Sequence, residues 1–211
     1  MSNQSNARSA AEGPRLQVSF LKSAPSLKDC PADTVPEIAF AGRSNAGKSS
    51  VLNRLTGSRH TAKVSKTPGR TQVLNLFDVR GGGRLVDLPG YGYAKASKSA
   101  QTTWQRNVNE YLSQRESLVG VVLVMDIRHP LTEFDLELVS WADQSEMPLL
   151  ALLNKADKLK QGARQKTLQA VRKRLSDQPL TKVMLFSASS GMGSQQLIEQ
   201  LQQLLSAPDP S

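Results

Sequence analysis

The chain has 211 residues, 27 Lys plus Arg against 18 Asp plus Glu for a formal charge of +9, and 38% hydrophobic residues with 14 Gly and 11 Pro. That length suits one compact domain, and the ordinary glycine and proline share excludes a collagen-like or wholly low-complexity chain. The longest strongly apolar stretch, Leu118 to Met125, is far short of the roughly 20 residues that cross a bilayer. The N-terminus lacks the apolar block of a secretion signal, so a cytoplasmic protein without a membrane span is expected. Cys30 is the single cysteine, and with only His60 and His129 beside it neither a disulfide within the chain nor zinc-ligand spacing is available.

In chain order, residues 1–14 contain no Leu, Ile, Val or Phe and are expected to form a disordered arm, because they cannot bury enough surface to offset ordering entropy. Residues 15–206 read as a single domain, with a short tail at 207–211. Short apolar runs predict six strands: Glu37–Ala41, Thr71–Arg80, Arg84–Asp87, Val119–Asp126, Pro148–Asn154 and Lys182–Ser187. Gly81, Gly82 and Gly83 supply positive φ between the second and third, which makes that pair an antiparallel hairpin. Helical periods fall at Ser49–Leu55, Thr102–Ser113, Glu133–Gln144 and Gln165–Ser176. A last helix aligns Leu197, Ile198, Leu201, Leu204 and Leu205, with Ser194 as its expected N-cap. Such alternation predicts an α/β fold with a six-stranded, mostly parallel sheet and helices on both faces. Ligands of such sheets bind at the C-terminal ends of the strands.

The informative residues fall at those ends. Gly42-Arg43-Ser44-Asn45-Ala46-Gly47-Lys48-Ser49 matches G-x-x-x-x-G-K-[ST] between a strand and a helix, which defines a P-loop. Its backbone N–H groups cradle phosphates, Lys48 reaches the β and γ phosphates, and the Ser49 hydroxyl suits Mg²⁺. The third strand runs into Asp87-Leu-Pro-Gly90, a D-x-x-G that can bring a carboxylate toward the metal through water and a glycine N–H toward the γ phosphate. Taken alone it is also an ordinary turn. The fifth strand ends in Asn154-Lys155-Ala156-Asp157, an N-K-x-D whose buried Asp157 carboxylate is expected to accept from the N1 and N2 edge of guanine. Adenine has no such donor pair, so GTP or GDP is the expected nucleotide. Ser187 and Ala188 follow the sixth strand, where the Ala188 N–H can meet the guanine oxygen. The order of P-loop, Thr71, D-x-x-G, N-K-x-D and Ser-Ala identifies a P-loop NTPase of the Ras-like GTPase kind.

Three stretches between these motifs narrow the match: Thr67-Pro-Gly-Arg-Thr-Gln-Val-Leu-Asn-Leu-Phe77, Asp87-Leu-Pro-Gly-Tyr-Gly-Tyr-Ala94 and Met125-Asp-Ile-Arg-His-Pro-Leu-Thr132. They resemble the EngB-type ribosome-biogenesis GTP-binding proteins of bacteria, within the TrmE-Era-EngA-EngB-septin-like class, from about residue 16 to 205. The resemblance implies a monomeric GTPase that associates with a large ribosomal subunit precursor, through rRNA and ribosomal proteins, and is needed for growth and division septation. It further implies that Thr71 is the switch I threonine, with Gly69, Arg70 and Gln72 around it, and that Ser49 and Thr71 hold Mg²⁺ with Asp87 acting through water. One departure is visible: Asn154 stands where the family often has Thr. Tyr91 stands where Ras-like enzymes place a water-orienting glutamine, so slow intrinsic hydrolysis is expected. Asn45 resembles the residue with which related members hold K⁺ against transition-state charge, which would place it with Lys48 and Thr71 in catalysis.

Charge supports a polyanionic partner. Residues 38–77 hold seven basic residues and no acid, and residues 158–182 hold eight against Asp177 alone. A solvated helix face is the plain alternative for either run. A GTP-dependent interaction protein of the division apparatus, without an RNA target, is the rival function.

Overall fold

The computed structural model describes residues 15–57, 73–91 and 98–206, with the backbone alone for 98–105. The expected arm and tail lie outside these residues, as do Gly69, Arg70, Thr71 and Gln72. Seven strands make one sheet in the order β1-β3-β4-β2-β5-β6-β7. They are β1 Val18–Ala24, β2 Glu37–Gly42, β3 Leu74–Val79, β4 Arg84–Asp87, β5 Leu118–Asp126, β6 Leu149–Asn154 and β7 Thr181–Leu185. The helices are α1 Lys48–Thr56, α2 Lys98–Gln114, α3 Glu133–Gln144, α4 Gln161–Arg174 and α5 Ser194–Ser206. Strands β4, β2, β5, β6 and β7 run parallel, and β1-β3-β4 is antiparallel.

The sheet therefore has seven strands where six are expected from the sequence. The addition is β1, which pairs with β3 at one edge from Val18↔Val79 to Ala24↔Leu74 with a bulge between Phe20 and Lys22. Only Ala24 at its end is buried, and Phe20 and Leu21 are exposed. An edge strand held chiefly by its backbone ladder needs neither an apolar run nor clean alternation, so β1 leaves a weak pattern. Its side chains still contribute locally, with the Phe20 ring edge-on to Phe77 at 5.7 Å. The glycine hairpin forms as expected: Gly81, Gly82 and Gly83 all have positive φ, and Val79 N–H donates to the Gly83 carbonyl at 3.0 Å.

Successive residues of the central strands face opposite layers. Ile38, Phe40, Val122 and Val124 pack with Val51, Leu52 and Leu55 of α1 and Leu197, Ile198 and Leu201 of α5. Ala39, Ala41, Val121 and Leu123 pack with Tyr111 of α2, Val139 and Ala142 of α3, and Leu168 and Val171 of α4. Both faces are covered, which is why β5 and β6 read as continuous apolar runs. Truncating one fully buried side chain here, Leu52→Ala, is expected to cost about 2–5 kcal/mol.

Helix α3 begins and ends where its periodicity predicts, behind a Thr132 N-cap whose partner is Asp135. Ser194 differs from expectation. It is the first residue of α5 and is buried, and its hydroxyl has no partner among the described residues. Gly193, at φ +76, accepts the Leu197 N–H instead, because a left-handed entry there suits glycine. The parallel strands place Gly42, Asp87, Asp126 and Asn154 as final residues on one rim of the sheet, and there the candidate site is assembled.

Candidate functional site

Gly42 closes β2, residues 43–47 form the loop, and α1 starts at Lys48, so the loop lies over a helix N-terminus. Gly47 has φ +97, and a Cβ there would overlap the Asn154 side-chain nitrogen. Asn154 is buried and donates from Nδ2 to the Ala46 carbonyl at 2.9 Å, while its Oδ1 is buried without a partner among the described residues. Lys155, at φ +61, donates from Nζ to the Asn45 carbonyl at 2.6 Å and to Asp126 Oδ2 at 2.9 Å. The two motifs thus brace each other, and the left-handed turn at Asn45 (φ +69) is held by a residue far along the chain. Arg43 and Asn45 are exposed, Ser44 is half-buried and Ala46 is buried.

Lys48 and Asp87 are both buried and form an ion pair. The sequence directs Lys48 toward phosphates and Asp87 toward a metal, whereas the structure pairs them with each other. Neutralising two charges that would otherwise be buried alone accounts for the contact. Ser49 lies half-buried beside Lys48 in the first turn of α1. Hydroxyl and carboxylate oxygens are the donors a hard cation prefers. No three His, Cys, Asp or Glu side chains among the described residues gather to hold a metal unaided. The donor set therefore fits Mg²⁺ bound mainly through a nucleotide's phosphates, as that ion commonly is. Thr71, the second expected ligand, is outside the described residues.

Beyond Asp87, Gly90 sits against the P-loop, so that a Cβ on it would lie 3.5 Å from both the Gly42 oxygen and the Ser44 nitrogen. Ser44 N–H donates to the Tyr91 carbonyl at 2.7 Å. Tyr91 itself is buried, and its hydroxyl donates to Asp135 Oδ1. Burial, and then the Asp135 carboxylate, hold that phenol well above its ordinary pKa. A phenol engaged in this way is not available to orient water.

Asp157 lies in a one-turn helix, Ala156–Lys158, past the end of β6. It is exposed rather than buried as the sequence reading expects, because the chain has already left the sheet there. The Ser187 hydroxyl donates to Asp157 Oδ1 at 2.6 Å and itself accepts from Ser190 N–H at 3.2 Å. The Ser187 bond holds the Asp157 carboxyl below its ordinary pKa. Ala156 N–H donates to the Phe186 carbonyl at 3.0 Å, which ties the base motif to the loop carrying Ser187 and the half-buried Ala188. The sequence places Ser187 with Ala188 among the expected nucleotide-binding residues; the geometry makes Ser187 the residue that holds the Asp157 carboxylate.

Two residues are new at this rim. Asp126 accepts from Lys155 and from Arg128 Nε at 2.9 Å; the Arg128 bonds hold its carboxyl well below the usual range. Asp135 has one available sequence signal, the spacing Thr132-x-x-Asp135 of a capping box. Among the described residues, no helix is long and apolar enough to cross a membrane.

A family model for a 50S ribosome-binding GTPase matches residues 37–155. The probable GTP-binding protein EngB of Idiomarina loihiensis is 51% identical over 185 residues, which span 87% of this chain and 90% of that protein. The protein of the same name from Haemophilus influenzae is 50% identical over 183 residues, 86% of this chain and 89% of that one. Among solved structures, a probable GTP-binding protein engB matches with a TM-score of 0.66 at 23% identity, covering 80% of this chain and 98% of that chain. Era in complex with MgGDPNP and nucleotides of 16S ribosomal RNA matches with a TM-score of 0.61 at 22% identity, covering 84% and 59%. These structural likenesses show the fold, a P-loop GTPase sheet.

Proposed function

Because the chain belongs to the EngB family of GTP-binding proteins, GTPases that bind GTP and GDP, we propose that it is a slow switch for large-subunit assembly. In this reading its GTP-bound form docks on a maturing large ribosomal subunit in the cytoplasm, hydrolysis to GDP and phosphate drives release, and growth and septation depend on that cycle. The observation that carries the nucleotide half is the brace between Asn154, Lys155 and the P-loop, with Asp157 presented by Ser187. One carboxylate aimed by a neighbour, on a rim shared with a phosphate loop, suits a purine with two adjacent donors.

Lys48 then serves the phosphates, the N–H groups of the P-loop and Gly90 cradle them, and Ala188 meets the base. Mg²⁺, held by Ser49 and Thr71 with Asp87 acting through water, would neutralise phosphate charge. Gly69, Arg70 and Gln72 flank that threonine. Asn45, exposed at its turn, would hold K⁺; hydrolysis should then be faster in KCl than in NaCl at equal ionic strength, and Asn45→Ala should erase the difference. Equal wild-type rates in the two salts remove that role.

Asp157→Asn tests the base site. It replaces a pure acceptor by a mixed donor and acceptor, so GTP preference over ATP should fall and binding should shift toward xanthine nucleotides. Unchanged preference in competition binding of GTP, ATP and XTP ends the assignment. The ribosomal half rests on the description of the matching family model and on the basic run, of which Arg172, Lys173 and Arg174 are exposed on the last turn of α4. Changing these three to Glu should weaken binding to large-subunit particles and flatten its salt dependence, by about 0.9 in logarithmic slope for each phosphate no longer neutralised. Nucleotide affinity should stay as it is. Identical salt curves would leave this run a solvated face.

A further inference from the structure

The residue after the D-x-x-G glycine is held from two directions. Its backbone belongs to the P-loop: Arg43 and Tyr91 form a parallel bridge, and Ser44 N–H donates to the Tyr91 carbonyl at 2.7 Å. Its side chain belongs to α3. The Tyr91 hydroxyl donates to Asp135 Oδ1, and the ring lies 5.7 Å from that of Phe134 at a tilt of 38°. Asp135 is buried at 2% exposure, and its second oxygen accepts from Thr132 N–H and from Thr132 Oγ1, both at 2.8 Å. One carboxylate thus caps α3 and anchors the chain beside Gly90.

We propose that Asp135 is a positioning residue for the GTPase reaction, fixing Gly90 against the phosphate loop through the Tyr91 hydroxyl. The inference rests on the reading above that Gly90 N–H meets the γ phosphate. Gly90 has no side chain to hold it, and its backbone lies against Gly42 and Ser44. Tyr91 is its immediate neighbour, so an anchor on α3 limits how far the glycine can swing from that loop. A residue outside all the nucleotide motifs then determines how well the third phosphate is recognised. The same bond explains the tyrosine at this position: a hydroxyl at the end of a rigid ring spans the gap to α3, and phenylalanine would fill the space without the link.

Tyr91→Phe keeps the ring and removes the hydroxyl that links it to Asp135. Its affinity for GDP should stay within about twofold, while affinity for a non-hydrolysable GTP analogue and single-turnover kcat should each fall about tenfold, the worth of one buried hydrogen bond to a charged group. Thr132→Ala weakens the cap but spares the Tyr91 bond, so it should lower Tm without changing the ratio of GTP-analogue to GDP affinity. Asp135→Asn can still accept from Thr132 and meet the hydroxyl through its amide, and should recover most of the kcat lost in Asp135→Ala. A Tyr91→Phe protein that loses GDP and GTP-analogue affinity equally, or keeps wild-type kcat, overturns the proposal. So does a Thr132→Ala protein whose affinity ratio falls as far as that of Tyr91→Phe, and the Thr132 and Asp135 variants decide the matter if Tyr91→Phe does not fold. Failure of the underlying reading is separate, because it appears in the wild type as equal affinity for GDP and the analogue across Mg²⁺ concentrations.

Discussion

Strand β4 is four residues long and carries a buried charge at each end, Arg84 at its start and Asp87 at its finish. At the start, Glu37 Oε1 accepts from Arg84 Nη1 and Arg115 Nη2, both at 2.7 Å, and Oε2 accepts from the Tyr111 hydroxyl at 2.7 Å and Arg115 Nε at 2.9 Å. Arg84 also engages Asp33 and Asp78, and Arg115 reaches the Pro31 carbonyl at 2.9 Å. Burial pushes the Glu37 carboxyl up, but the bonds from Arg115, Tyr111 and Arg84 outweigh it and leave the group below its ordinary value. At the finish, Asp87 has Lys48, and further along the same rim, at the end of β6, Asn154 Oδ1 is buried with no partner among the described residues. The first cluster has its valences filled from within and ties the loop before β2 to α2 and β4. The second keeps polar groups poised at the rim where strands end. The contrast teaches that burial of charge does not by itself mark a site: both ends of β4 bury paired charge, and it is the position at the strand-end rim that puts Lys48 and Asp87 in the candidate site.

The largest way to break that comparison is Arg84→Met. It takes from the Glu37 cluster a guanidinium bonded to three carboxylates, and should cost about 3–5 kcal/mol in urea unfolding. GDP affinity of the folded protein should hardly move; an equal loss of nucleotide binding would mean that the two ends are not separate. Lys48→Met is the reciprocal change. It should cost about 1.5–3 kcal/mol of nucleotide affinity, the range for a hydrogen bond to a charged group, and it also lowers stability, because it leaves Asp87 buried without its ion-pair partner.

Acid sharpens the contrast further. A carboxyl whose folded pKa is depressed contributes stability that is fully present above its ordinary value, here 4.5, and is lost as pH falls through the lower folded value. Stability should therefore decline below about pH 4.5, and Glu37→Gln should flatten that limb in pH-dependent urea titrations. An unaltered limb would assign the acid sensitivity to other carboxylates. The smallest effect concerns Cys30, half-buried near this cluster, whose thiol burial pushes up from 9.0 to about 11. Alkylation at pH 8 should run about a hundredfold slower than in urea-unfolded protein, with no change in nucleotide binding on modification.

Much of this molecule follows from local pattern. The order of the P-loop, D-x-x-G, N-K-x-D and Ser-Ala motifs, the α/β alternation, the glycine hairpin and the bounds of α3 each depend on residues within a few positions of one another. Periodicity and turn chemistry suffice for such features. Asp157 and Ser187 are both visible in the sequence, yet which of them orients the other is not.

Only the tertiary structure decided the rest, because the partners are remote in sequence. Lys48 and Asp87 are 39 residues apart, Tyr91 and Asp135 44, and Glu37 and Tyr111 74. Strand β1 exists because β3 offers it a free edge, and Asp157 is exposed because its turn has left the sheet. A residue type and its spacing determine which bonds a side chain can make. Which of those bonds forms depends on the groups that the sheet order brings within 3 Å or so, and that order is a property of the whole chain.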